Sequence, residues 1–87
     1  MRAGLDFAVG KATEEAGEVL IEVGGLLHAI GKTLRWGWQS VNPELAPEDQ
    51  ETNAAWVRRK IADAGVEIVD LQEALNNLGR EMTKGGL

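Results

Sequence analysis

Two runs of apolar residues spaced in steps of three and four, with no segment that alternates as a strand does, constrain this chain to an all-α fold. In the first run Ala12, Ala16, Val19, Val23, Leu26, Ile30 and Leu34 recur once per turn and predict a helix over residues 11–36, with Asp6 as a candidate for an earlier N-cap. In the second, Val57, Ile61, Ala64, Ile68, Leu71, Leu75, Leu78 and Met82 predict a helix over residues 53–82. Thr52 is its expected N-cap, Gly85 and Gly86 its expected stop, and Pro47 a candidate for opening an earlier turn. The glycines at 17, 24, 25 and 31 each cost roughly 1 kcal/mol against alanine in a helix. Close approach of another helix is the compensation expected for them.

Residues 37–52, containing Pro43 and Pro47, form a connection that is long for two packed helices and reads as either functional or mobile. Trp36 and Trp38 at its entrance favour function, because tryptophan is costly to leave on a solvated loop. A chain of 87 residues makes one small domain, and two antiparallel helices cannot enclose a core alone. The expected architecture is therefore a helical hairpin that assembles into a four-helix-bundle-type homo-oligomer, a dimer or a tetramer. The competing architecture is an elongated hairpin that pairs with a different protein.

Composition narrows the partners. A net charge of −5 provides no general footprint for DNA or RNA, so no nucleic-acid partner is expected. With no cysteine, neither a disulfide framework nor a thiolate metal site is possible. A mean hydropathy of −0.19, and the lack of an apolar run near the roughly 20 residues of a span or of a signal peptide, point to a cytoplasmic protein with no membrane partner.

The chemistry of the chain lies in its acids. Glu15 and Glu18 stand three residues apart on the first helix, with Glu22 continuing the line; Glu67 and Asp70 repeat the spacing on the second, with Asp63 one turn earlier. Like charges at this spacing repel, and a cation reverses the sign. One such pair is usually a solvated face. Two pairs on successive helices, each beside an apolar seam, can together offer oxygen ligands to Mg²⁺ and leave positions for water and phosphate. Glu14 adjoins the first pair as a candidate to orient water, and Asn77 lies two turns beyond Asp70 as a candidate substrate contact. Near the loop, Lys32 and Arg35 are candidates for phosphate contacts, Trp38 for stacking on a base and Asn53 for hydrogen bonds to its edge. His28, the only histidine, has no E-x-x-H setting, which disfavours a di-iron bundle and makes it a surface or interface residue. No glycine-rich phosphate loop, nucleophile elbow or zinc motif is present.

The segment Lys11-Ala12-Thr13-Glu14-Glu15-Ala16-Gly17-Glu18-Val19, followed by Glu67-Ile68-Val69-Asp70-Leu71, resembles the E-E-x-x-E and E-x-x-D motifs of the all-α nucleoside triphosphate pyrophosphohydrolases, the MazG-like superfamily. Lys32, Arg35, Trp36-Gly37, Asn42-Pro43 and Thr52-Asn53 resemble a subgroup common among phage-encoded members. The resemblance implies Mg²⁺ dependence, with Mn²⁺ as an alternative ion, and cleavage of a (deoxy)nucleoside triphosphate between its α and β phosphates. It carries the metal ligands over to Glu15, Glu18, Glu67 and Asp70, and implies a role in nucleotide-pool housekeeping in a bacterium or a phage-infected host. The tryptophan-bearing connection departs from the shorter one of the phosphoribosyl-ATP pyrophosphatases and disfavours a histidine-pathway role. The competing function is that of a non-enzymatic oligomeric adaptor whose acidic stripes are only solvated surface.

Overall fold

A computed structural model describes residues 3–41 and 46–87 of the chain. Two helices, α1 (Ala3–Trp36) and α2 (Asn53–Lys84), are joined by a connection that includes a 3-10 turn at Pro47–Asp49. They lie antiparallel in a hairpin 55 × 20 × 15 Å, with Gly4 beside Glu81 at one end and Gly37 bonded to Asn53 at the other. Among the described residues the only strand-like pairing is one isolated antiparallel bridge between Val41 and Thr52. The Asn42-Pro43 part of the connection falls outside the described residues. No helix among those described is long and apolar enough to cross a membrane.

Helix α1 starts at Ala3, ahead of the expected residue 11 and of Asp6. Gly4 and Gly10 weaken those first turns, but Ala8 and Ala12 are buried in the seam, and packing overrides the local preference. Gly37 ends α1 with φ at +101°, a conformation that favours glycine, and its N–H donates to the Thr33 carbonyl at 2.7 Å. Helix α2 opens as expected: the Thr52 hydroxyl accepts from the Ala55 N–H at 3.2 Å. Its far end is closed by Gly85 and Gly86, with the Leu87 N–H returning to the Met82 carbonyl at 2.9 Å.

Small side chains line the seam. Ala8, Ala12, Ala29, Ala64 and Ala74 are all buried, which lets the helices approach, and the bulkiest packing gathers near the connection, where Trp56 and Val57 meet Ala29, Leu26 and Ile30. His28 rests edge-on against Trp56, ring centres 6.1 Å apart, from an exposed position. The second predicted stripe is divided by this arrangement. Val57 and Ala64 are buried and Leu71 and Leu78 half-buried, whereas Ile61, Ile68, Leu75 and Met82 are exposed, Ile68 by 50%. On α1, Leu20, Leu27 and Leu34 are exposed as well, Leu27 by 64%.

These exposed residues are not scattered. They recur every seven positions, and in an antiparallel pair, side chains rotated in the same sense from the seam emerge on the same side. One broad side of the hairpin therefore carries Leu20, Leu27 and Leu34 with Ile61, Ile68, Leu75 and Met82, and the opposite side carries Lys11, Glu14 and Glu18 with Asp63, Glu67, Asp70 and Glu73. The interior glycines do not serve the hairpin in the way expected. A side chain at Gly17, Gly24 or Gly31 would meet nothing within 4 Å, and one at Gly25 would meet only the Lys60 side chain.

Candidate metal centre

Helical spacing brings Glu15 to the seam from α1 and Glu67 and Asp70 to it from α2. One carboxylate oxygen from each lies within 4.8 Å of the others. Glu15 is only 5% exposed, while Glu67 and Asp70 are half-buried. Oε2 of Glu15 and Oε2 of Glu67 are buried without a hydrogen-bond partner. Buried carboxylate oxygens without donors are costly, because desolvation is not returned by a bond.

Glu18 stands beside this trio. Its contact with Glu67, reinforced by the negative charge of Glu15 and by partial desolvation, holds the Glu18 carboxyl above its ordinary value. Glu15 is shifted in the opposite direction. Lys11 Nζ lies 2.8 Å from Glu15 Oε1, and this charge-assisted bond keeps the Glu15 carboxyl below its ordinary value and raises the Lys11 ammonium above its own. Two neighbouring carboxyls with pKa values pushed apart are a pattern found at functional sites.

A cavity of about 380 Å³ opens at the trio and is lined by Lys11, Glu15, Asp70, Glu73, Ala74 and Asn77. Asn77, reached from Asp70 by two turns of α2, thus stands in the wall of the site. Glu14 lines a second cavity, of about 420 Å³, with Phe7, Gly10 and Lys11. No family model, curated protein or solved structure matches the chain.

The remaining candidates gather at the other end of the hairpin. Lys32 lies about 26 Å from Glu15 along α1, at a rise of roughly 1.5 Å per residue. There its ammonium sits 4.7 Å from the Trp36 ring centre and the Arg35 guanidinium 5.9 Å from it. Trp38 is half exposed, and its carbonyl accepts from the Ala54 N–H at 2.8 Å. Asn53 is fully buried: its Nδ2 donates to the Gly37 carbonyl at 2.9 Å, and its backbone N–H to Ser40 at 2.8 Å. Within one chain, then, Lys32, Arg35, Trp38 and Asn53 form a cluster separate from the carboxylates.

Two residues of the site escape a reading of motifs alone. Lys11 sits one turn before Glu15, and Glu73 three residues after Asp70, so helical spacing held the signal for both.

Proposed function

We propose that the chain is a Mg²⁺-dependent nucleoside triphosphate pyrophosphohydrolase of the MazG-like type, working as a homo-oligomeric four-helix-type bundle. The observation that carries this reading is the convergence of Glu15, Glu67 and Asp70 within 4.8 Å, with buried oxygens of Glu15 and Glu67 left without donors. Hard oxygen donors from three carboxylates, with Glu18 adjacent, match the preference of Mg²⁺, or of Mn²⁺ in its place. The order of the acidic motifs along the sequence supports the same family.

Bound there, Mg²⁺ would offset triphosphate charge and polarise the α-phosphorus. Glu15, Glu67 and Asp70 would hold it, and Glu18 would complete the set once ionised. Glu14 orients the attacking water and takes its proton. The oxygen of that water joins the α-phosphorus, the bond from that phosphorus to the bridging oxygen breaks, and pyrophosphate leaves with the bridging oxygen and its electron pair. The Asn77 amide, in the cavity wall, donates to a phosphate oxygen.

A second copy is the proposed cover for the apolar side. That side runs along a hairpin 55 Å long and 20 Å wide, which gives a second copy a long row of apolar side chains to pack against. In such an assembly Lys32, Arg35 and Trp38 serve the carboxylate site of a neighbouring copy, since about 26 Å separates Lys32 from Glu15 in their own chain, whereas Asn53, fully buried and bonded to Gly37, holds the hairpin together. The acidic and apolar sides of the hairpin are opposite, so association leaves the carboxylates open to the nucleotide.

The same apolar side also suits the adaptor reading, with a different protein as cover. A panel of nucleoside triphosphates incubated with Mg²⁺ separates the two. The proposed function requires release of pyrophosphate and monophosphate in equal amounts, and the adaptor releases neither.

A further inference from the structure

Lys11 is the one basic residue shared by both cavities on the acidic side, and its place there suits something beyond an ion pair. Its side chain is 51% exposed while that of Glu15 is 7% exposed, so the bond at 2.8 Å joins a solvated cation to a buried carboxylate. Helix geometry holds the pair weakly, because a lysine four residues ahead of a glutamate is the less favourable order. On the other side of Lys11 lies the 420 Å³ cavity, where Gly10 leaves open space: a side chain there would meet nothing within 4 Å. The four-carbon stem of lysine is long and freely rotating, and its ammonium binds phosphate as a point charge.

From this geometry we infer that Lys11 is an exchangeable counter-ion: it pairs with Glu15 until a divalent cation displaces it, then turns to hold a phosphate oxyanion at the mouth of the adjoining cavity. The inference rests on the carboxylate trio being a cation site. Ammonium and divalent ion compete for the charge of the one Glu15 carboxylate, with Lys11 on Oε1 and the donor-free Oε2 open to the ion, and the divalent ion has the larger charge. Glu14 in the wall of the second cavity repels a free anion, so the arrangement selects a polyphosphate chain that arrives carrying its metal over bare phosphate. The exchange also couples the two ligands. Metal entry frees the lysine that the polyphosphate needs, and neither ligand gains it alone.

Calorimetric titration of the full chain with MgCl₂ alone, and with MgCl₂ plus inorganic triphosphate, tests this without relying on turnover. Lys11→Gln should bind Mg²⁺ alone about threefold to tenfold more tightly than wild type, because the competitor is gone, and should bind Mg²⁺-triphosphate about tenfold more weakly. Lys11→Arg should restore the triphosphate affinity to within about threefold of wild type, since charge is retained. Opposite signs for the two ligands are what a merely structural ion pair does not produce. Equal or weaker Mg²⁺ binding by Lys11→Gln, or an unchanged triphosphate affinity, overturns the exchange. If the wild type binds Mg²⁺ yet releases no pyrophosphate from any nucleotide, the proposed function fails while the titrations still decide the role of Lys11. A wild type that binds no Mg²⁺ overturns both.

Discussion

Glu18 on α1 meets Glu67 on α2 across the seam, and this contact, with the negative charge of Glu15 and partial desolvation, holds the Glu18 carboxyl above its ordinary value. Glu18 therefore keeps its proton above the ordinary value of 4.5, whereas the unfolded chain releases it there. Folding takes up a proton in the window above 4.5, and metal-free stability rises as pH falls through the raised Glu18 value toward 4.5. Below about 4.5 the sign reverses, because Glu15, held low by Lys11, is then protonated and its stabilising pair is lost. Melting curves in chelator across this range should show a maximum on the acid side of neutrality, and Glu18→Gln should flatten its neutral limb. A melting temperature that falls steadily as pH is lowered from neutral toward 4.5 would contradict the raised Glu18 carboxyl.

The apolar side gives a prediction about assembly. Ile68→Lys places a charge in the middle of the exposed row formed by Ile61, Ile68 and Leu75, without touching the buried seam. Light scattering at micromolar concentration should show the wild type as a dimer or larger and the variant shifted to monomer. A wild type that is a stable monomer would remove the bundle.

Asn53 makes a prediction about folding. With its amide donating to the Gly37 carbonyl and its whole surface buried, it latches the start of α2 to the end of α1. Asn53→Ala should cost about 1–3 kcal/mol, since the Gly37 carbonyl loses its donor. For a chain of this size that lowers the melting temperature by several degrees or more, at about 4–8 °C per kcal/mol. An unchanged melting temperature together with a raised KM would return Asn53 to nucleotide binding.

Trp38 tests whether one copy reads the nucleotide held by another. Trp38→Ala should raise KM or alter base preference while oligomeric state is retained. An unchanged nucleotide profile would leave the tryptophan only to packing around the connection.

Periodicity made the two helices legible, because turns of α1 and α2 place apolar groups in steps that strands do not share. It did not reveal which part of a broad stripe faces inward. Ala64 and Ile68 belong to the same stripe, yet the seam takes the alanine, since small residues permit close approach, and leaves the isoleucine outside. The first turns of α1 were hidden because Gly4 and Gly10 have poor helix propensity and only packing at Ala8 and Ala12 restores them. The convergence of Glu15, Glu67 and Asp70 was legible from paired spacing on successive helices. The separation of Trp38 from those acids was not, because sequence order places the connection between the motifs, while the rise of α1 carries it to the far end of the hairpin.

Asp70 brings its carboxylate to Glu15 and Glu67, where a divalent cation would sit. Asp70→Asn keeps size and helical spacing but removes the charge, so the measurement is Mg²⁺-dependent pyrophosphate release by wild type and variant, with melting recorded in chelator. Turnover should fall by at least about 100-fold, more than the roughly 10- to 100-fold that loss of a supporting partner costs. The metal-free melting temperature should not fall, because repulsion from Glu67 is relieved. Wild-type rates in the variant, or wild-type turnover that proceeds without Mg²⁺, would contradict the carboxylate site; a variant that merely unfolds would make Asp70 a structural residue.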